Sequence, residues 1–355
     1  MSSNSSFYCT AEQMVMSYAV KYNRLSGIIQ ELYGNSKYSK ANQLHLFINL
    51  TDIFKSISSN AGCQKNASSI SAAILNLCAH YRSFFRNGYS TEIKIFLIRS
   101  LEVYPHNMKF HPEYGKKNNL QMELDNSINE ACGLLEVICP YLYDIQIITT
   151  PHEFSVMALD IATYYNLDIP HLVLTKDITA FQLVFPDLKF TILRPLKSKG
   201  EDLSYYVNAN NLISTYYNIR KIDSKPRIIE PSYYSILLSM TKLPERNLRS
   251  LISIRDAVKI LDALISKVGH FNISTDPFTI IPDDILRDAF GKNASKIYEI
   301  SCRYKAIDLY KLYHAYSFNE MVKYNGMINL TDPNGINEIS NKYYKKYPVD
   351  FLTLI

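Results

Sequence analysis

The sequence predicts an α/β protein with a central, mostly parallel sheet flanked by helices, followed by a mostly helical C-terminal region. Short apolar runs, typical of strands buried on both faces, alternate with helical segments between about residues 40 and 225. Alternating strands and helices are expected to form parallel β-α-β units. From about residue 232 onward, the apolar residues recur at helical spacing.

The first segment is predicted to be one helix from about Ala11 to Tyr33. Thr10 and Gln13 have the spacing of a capping box, and Gly34 is suited to end the helix. Its apolar residues form a stripe that packs against the core or, as the alternative, against a partner helix. The stripe consists of Met14, Val15, Tyr18, Tyr22, Leu25, Ile29 and Leu32.

The remaining elements follow from apolar runs and helical periodicity. The segment 99–122, between a predicted strand and a predicted helix, is polar, basic and irregular. The predicted strands are Leu44–Leu50, Ile93–Ile98, Ile145–Ile148, Leu172–Leu174 and Phe190–Leu193. The predicted helices are Ser69–Phe85, 123–139, Glu153–Tyr165, Tyr233–Leu243, Arg255–Val268, Asp283–Phe290, Ser295–Tyr316 and Gly335–Tyr344.

Composition narrows the possible functions only slightly. The 355 residues include 38 Lys and Arg and 33 Asp and Glu, a formal net charge of +5 that permits nucleic-acid contact without requiring it. No apolar stretch has the length of a membrane span, and the N-terminus lacks the pattern of a secretory signal, so neither membrane contact nor secretion is expected. The six cysteines form no Cys-x-x-Cys pair, which predicts free thiols and no zinc site.

Several polar motifs follow the predicted strands. The strand ending at Leu174 runs into Asp177 and Thr179 and then into Gln-Leu-Val, while Leu46–Asp52 places Asn49 at the end of the first strand. The segment Pro151–Val156 precedes a helix, and Leu238–Leu261 spans two predicted helices and their connection. In this order the motifs resemble those of the 5′-3′ exonuclease and flap endonuclease family, which has a PIN-like nuclease fold.

The resemblance spans about residues 44–261 and implies three regions. Residues 1–40 would be an N-terminal helical extension, 41–230 a PIN-like α/β domain, and 231–355 a helical region with a degenerate helix-hairpin-helix. In that hairpin, Leu248, Leu251 and Ser253 fall on glycines of the family. Leucine side chains there are expected to keep backbone N–H groups away from a phosphate.

The resemblance also implies a loss of metal-binding carboxylates. The family hydrolyses phosphodiesters with two metal ions, and such ions need carboxylate ligands. Glu153 and Asp177 are retained, and Asp52, three residues after Asn49, is not required to point into the same pocket. Other side chains replace the carboxylates at Asn49, Ser155, Val156, Thr179, Thr241 and Pro244. The two retained and six replaced residues are eight vestigial pocket positions. They predict no catalytic residue, no metal, no cofactor and no enzymatic activity.

The leading hypothesis is therefore a pseudoenzyme that serves as a structural or assembly module. It would bind other protein chains in a larger assembly, as a virion component of a tailed bacteriophage or in the host cytoplasm. Weak DNA contact is expected at most, through Lys116 and Lys117, which are alternatively ordinary solvated lysines. Two alternatives stay open: a non-cleaving DNA-binding protein with a flap-endonuclease fold, and a metal-dependent 5′ nuclease with rearranged ligands.

Overall fold

The computed structural model describes residues 10–37, 43–60, 65–89, 91–100, 126–165, 169–184, 189–198, 201–212, 215, 233–243, 248–269, 276–309 and 333–354. Its main sheet has six strands in the order β3-β2-β1-β4-β5-β8. Adjacent strands are parallel except β5 and β8, which are antiparallel, so the predicted fold class is confirmed. The strands are β1 (Gln43–Asn49), β2 (Glu92–Ser100), β3 (Ile145–Thr150), β4 (His171–Leu174), β5 (Phe190–Arg194), β6 (Lys197–Ser198), β7 (Glu201–Asp202) and β8 (Tyr205–Val207).

Helices cover both faces of this sheet and make up the described C-terminal region. The helices are α1 (Ala11–Met16), α2 (Tyr22–Lys37), α3 (Leu50–Ser58), α4 (Ala67–Tyr89), α5 (Asn126–Ile138), α6 (Phe154–Tyr165), α7 (Tyr234–Met240), α8 (Ile254–Val268), α9 (Pro277–Ile280), α10 (Asp283–Phe290), α11 (Ile297–Ile307), α12 (Pro333–Ile339) and α13 (Phe351–Leu354). None of the described helices is long and apolar enough to cross a bilayer.

Two apolar cores form because the strand residues are buried on both faces. Phe47 of β1 faces one core, where it stacks on Phe96 of β2 with ring centroids 5.1 Å apart. The neighbouring residues Leu46 and Ile48 face the other core, which also contains the apolar residues of α1, α3 and α4. The alternation follows from the two-residue period of a strand, and it fixes which strand-end side chains share a face.

The N-terminal segment is broken, so the predicted single helix is wrong. Helix α1 ends at Met16, although the predicted capping box of Thr10 and Gln13 is present. The Tyr81 hydroxyl donates to the Tyr18 carbonyl at 2.9 Å and accepts the Val20 N–H at 3.3 Å. These bonds replace the helical ones across the break, because each backbone group needs one partner.

The apolar stripe of the N-terminal segment packs against the protein's own core. Val15, Tyr18 and Leu25 are fully buried in the core beneath α3 and α4. Tyr22 is more exposed, and its hydroxyl donates to the His80 carbonyl at 3.0 Å. The stripe is therefore used for intramolecular packing in this structure.

Candidate functional site

Polar side chains gather where the parallel strands end. Asn49 and Ser100 are the last residues of β1 and β2, Thr150 is the last of β3, and Thr175 directly follows β4. All four are almost completely buried. Because parallel strands end at the same edge of a sheet, this carboxyl edge is the usual position of a ligand site in an open α/β fold.

Five of the residues at this edge form one hydrogen-bonded group, here called the carboxyl-edge cluster: Asn49, Asp52, Thr175, Asp177 and Thr179. The Thr175 hydroxyl accepts from Asn49 Nδ2 at 3.2 Å and from the Asp177 N–H at 3.0 Å. It donates to Asp52 Oδ2 at 3.1 Å. A hydroxyl has one donor and two acceptor positions, so Thr175 uses its full capacity to join the β1–α3 junction to the segment that follows β4.

Asn49 sets the start of α3, which follows β1 without a loop. Its Oδ1 accepts the Asp52 N–H at 3.2 Å, which is the usual N-cap geometry. That cap brings Asp52, in the first turn of α3, back over the strand end and onto Thr175. The expectation that Asp52 need not enter the pocket is corrected here, because the residue three positions after an N-cap lies beside it.

The Asp52 carboxylate is enclosed by backbone and hydroxyl donors. Besides the Thr175 hydroxyl, the Lys176 N–H donates to Asp52 Oδ2. Burial raises the pKa of Asp52, the Lys176 N–H opposes that change, and the negative charge of nearby Asp177 adds to it. Asp52 and Asp177 are therefore close enough to interact electrostatically.

Asp177 is held by the short 3-10 helix Ile178–Leu183 that it caps. The backbone N–H and the hydroxyl of Thr179 both donate to Asp177 Oδ1, each at 2.8 Å. The predicted neighbours Asp177 and Thr179 are thus brought together, and Thr179 orients the carboxylate instead of supplying a second one.

The other predicted positions divide between the edge and the core. Glu153 and Ser155 are buried at the start of α6, directly after β3. Val156, in the first turn of α6, is fully buried in the apolar core. Thr241 ends α7 and its hydroxyl donates to the Leu237 carbonyl at 3.0 Å.

Three predicted positions, Pro244, Lys116 and Lys117, fall outside the part of the chain that the structure describes. Across the described ranges, no group of three or more His, Cys, Asp or Glu side chains is arranged to hold a metal ion. The carboxyl-edge cluster offers two carboxylates from neighbouring strand ends, with amide and hydroxyl groups between them. These carboxylate, amide and hydroxyl groups are the ones available for binding or catalysis at this edge of the sheet.

The segment predicted to form a degenerate helix-hairpin-helix contains α7 and α8, and residues 244–247 between them lie outside the described part of the chain. Leu243 and Leu248 exchange backbone hydrogen bonds of 3.0 Å, and Leu248 is buried in the core. Ser253 caps α8 by accepting the Asp256 N–H at 3.2 Å. The leucine at 248 therefore packs inward, where the family motif has a glycine.

Loss of the Thr175 hydroxyl is expected to destabilise the fold. Thr175→Val leaves the Asn49 and Asp177 donors without their acceptor and removes a donor from Asp52, a cost of roughly 2–4 kcal/mol for buried polar groups. Thr163→Val is the matched control, because the Thr163 hydroxyl only donates to the Leu159 carbonyl within α6, at 2.8 Å. Urea unfolding measures the free energy of unfolding of both variants. Equal losses in Thr175→Val and Thr163→Val would show that the Thr175 hydroxyl does not hold the cluster together.

Comparisons with known proteins find similarity only among solved structures. No protein-family model matches the chain, and no curated protein matches it. The D15 protein of bacteriophage T5, co-crystallised with metal ions, is 12% identical, with 85% of this chain and 98% of that chain covered and a TM-score of 0.48. The catalytic core of Rad2 in complex with DNA is 11% identical, with 89% and 98% covered and a TM-score of 0.41.

The chain is similar in fold to flap endonucleases and 5′-exonucleases. This agrees with the family that the sequence motifs resemble. The prediction that the chain is not an enzyme is not supported by the comparisons: the structures found are those of a 5′-exonuclease and of a catalytic core. The candidate functional side chains of this protein are those of its own carboxyl-edge cluster.

Proposed function

We propose that this chain is a metal-dependent 5′ nuclease with a rearranged set of ligands, acting on DNA. The observation that carries the proposal is the pair Asp52 and Asp177, linked through Thr175 at the carboxyl edge of the sheet. DNA is the substrate that the nuclease alternative of the family resemblance implies, and DNA is present in the T5 and Rad2 complexes to which the chain is similar.

The donors of the cluster suit a hard divalent cation. Carboxylate oxygens are the ligands that Mg²⁺ and Mn²⁺ prefer, and Mg²⁺ often uses only one or two protein carboxylates. The hydrogen bonds from Thr175 and Lys176 fall on Asp52 Oδ2, and those from Thr179 fall on Asp177 Oδ1. These hydrogen bonds converge on one oxygen of each carboxylate and orient it.

The protein's own groups would act by positioning. Asp52 and Asp177 would hold a divalent ion, and that ion would supply Lewis-acid activation of water and neutralise charge on the phosphodiester. Thr175 keeps the two carboxylates in register, and Thr179 fixes the direction of Asp177. Asn49 stabilises the same arrangement without adding a third negative charge. With only two carboxylates, the cluster is suited to one ion.

An assembly role has less support from the described residues. The N-terminal apolar stripe, which a partner helix would need, is buried in the protein's own core. A virion component with protein partners, or a location in the host cytoplasm, therefore remains a prediction from the resemblance. The division into the regions 1–40, 41–230 and 231–355 also remains a prediction.

Cleavage of labelled flap DNA tests the proposal. The protein with Mg²⁺ or Mn²⁺ is expected to release product, and EDTA is expected to abolish the reaction. Asp177→Asn should lower the rate by at least about 100-fold, since even residues that only support a metal ligand matter 10–100-fold. Asp256→Asn, in the first turn of α8 and away from the carboxyl-edge cluster, is the control. Absence of cleavage with either metal, or full activity of Asp177→Asn, would refute the proposal.

A further inference from the structure

Arg194 lies at the carboxyl edge, directly beside the cluster, and has no part in the chemistry described above. It is the last residue of β5, which pairs in parallel with β4 so that Leu193 lies opposite Leu174. The Thr175 N–H donates to the Leu193 carbonyl at 3.3 Å. The Arg194 side chain therefore starts from the strand position next to Thr175.

The Arg194 guanidinium is not fully satisfied by the residues that the structure describes. Its Nη1 is enclosed and has no hydrogen-bond acceptor among them, and none of their carboxylates forms an ion pair with it. The group lies over the Phe181 ring, 5.7 Å from its centroid. A buried charged donor without an acceptor is costly to keep, and the aromatic contact holds this donor in a defined place.

Two lysines add positive charge around the same edge. Lys176 follows Thr175, and Lys197 is three residues beyond Arg194. Burial lowers the pKa of Lys176, and the charges of Arg194 and Lys197 lower it further, whereas Asp52 opposes the change. Lys176 Nζ contacts Ser17 Oγ at 3.3 Å, and Lys197 Nζ donates to the Met16 carbonyl at 3.0 Å, so both ammonium groups are already bonded. Among these three cations, Arg194 is the one with an enclosed donor nitrogen that has no acceptor among the described residues.

We propose that Arg194 binds a phosphate group of the nucleic acid beside the carboxylate pair. The inference deepens the proposed function and rests on it. A planar guanidinium suits phosphate oxygens, because its N–H groups form a fixed fork that matches their spacing. Asp52 and Asp177 would hold the metal ion, while Arg194 would fix the neighbouring phosphate in register with it.

A matched pair of variants on β5 tests this assignment. Arg194→Gln removes a positive charge at the carboxyl end of β5, and Lys189→Gln removes one directly before its amino end, at the opposite edge of the sheet. Binding of a fluorescent flap oligonucleotide is measured in EDTA at several salt concentrations, so that cleavage plays no part. Arg194→Gln is expected to weaken binding about tenfold and to reduce the slope of log affinity against log salt by about 1. Lys189→Gln should leave both quantities unchanged.

The outcomes separate this inference from the proposed function. Unchanged binding of Arg194→Gln, or equal weakening in both variants, overturns the assignment of Arg194 even if the protein cleaves DNA. Weaker binding of Arg194→Gln alone supports it even if no cleavage is found. If the protein binds no oligonucleotide, thermal stabilisation by inorganic pyrophosphate decides: a shift that Arg194→Gln loses supports the phosphate site, and no shift overturns it. Circular dichroism confirms that both variants fold.

Discussion

Acidification from neutral pH to about pH 4 is expected to destabilise the protein strongly, through the buried pair His45 and His171. The two residues face each other across β1 and β4, and their rings stack with centroids 5.3 Å apart. Both side chains are almost completely buried. Neither nitrogen of the His171 ring has a hydrogen-bond partner among the described residues, so a proton added there would remain unsatisfied.

Burial makes both histidines poor bases in the folded state. It lowers the pKa of His45 to about 4, with a smaller effect of Lys94. It lowers the pKa of His171 to about 3, and the charges of His45 and Lys189 act in the same direction. Both rings also pack against Phe47, which keeps water away from them. The neutral forms are therefore strongly favoured in the fold.

The sign of the pH effect follows from linkage. An unfolded histidine takes up a proton near its ordinary pKa of about 6.5, while these two stay neutral in the fold until much lower pH. Stability from this pair is thus complete above about pH 6.5 and falls with acidification, by up to about 1.4 kcal/mol per pH unit for each histidine. The loss continues until the folded pKa values are reached.

Urea unfolding at pH 7, 6, 5 and 4 measures this loss. The double variant His45→Phe and His171→Phe removes both titrating rings and should flatten the dependence between pH 6.5 and 4. Tyr165→Phe is the control, because Tyr165 packs beside His45 with ring centroids 5.5 Å apart and the change leaves both imidazole rings in place. A steep pH dependence that persists in the double variant would contradict the assignment.

The strands could be predicted from the sequence because their side chains are apolar on both faces. Leu44–Leu50 and Phe190–Leu193 were each predicted to within one residue of the observed ends. The prediction failed where a local contact decided the backbone. Asn49 caps a helix directly after β1, so α3 was missed, and Tyr81 takes the backbone bonds that would have continued α1.

The candidate site could be predicted only in part, because some of its residues are brought together by a helix start or by strand order. Asn49, Asp177 and Thr179 were identified from motif positions, and the structure joins them. Asp52 enters the cluster only because α3 starts without a loop, although an Asn followed three residues later by Asp is a detectable capping pattern. Arg194 depends on β5 lying next to β4, and strand order is a tertiary property that spacing along the chain does not give.

Asn49→Asp is expected to raise the affinity for Mn²⁺ by at least about tenfold, since ligand charge is a main determinant of divalent-cation affinity. The new carboxylate would join Asp52 and Asp177 at the carboxyl edge. Without metal, three like charges in one buried group repel each other, and the donation from Asn49 Nδ2 to Thr175 is lost. The metal-free variant should therefore be less stable by roughly 1–3 kcal/mol.

The helix cap itself should survive this change, because Asp and Asn are equally good N-caps. Any loss of stability in Asn49→Asp then reflects charge and the missing amide donor, and saturating Mn²⁺ should reverse it by binding only the folded state. Asn49→Ser is the matched control, since Ser also caps a helix but adds no carboxylate. Calorimetric titration with Mn²⁺ and thermal unfolding with and without the metal measure both effects. If Asn49→Asp binds Mn²⁺ no more tightly than Asn49→Ser, the carboxyl-edge cluster is not where this protein holds a metal ion.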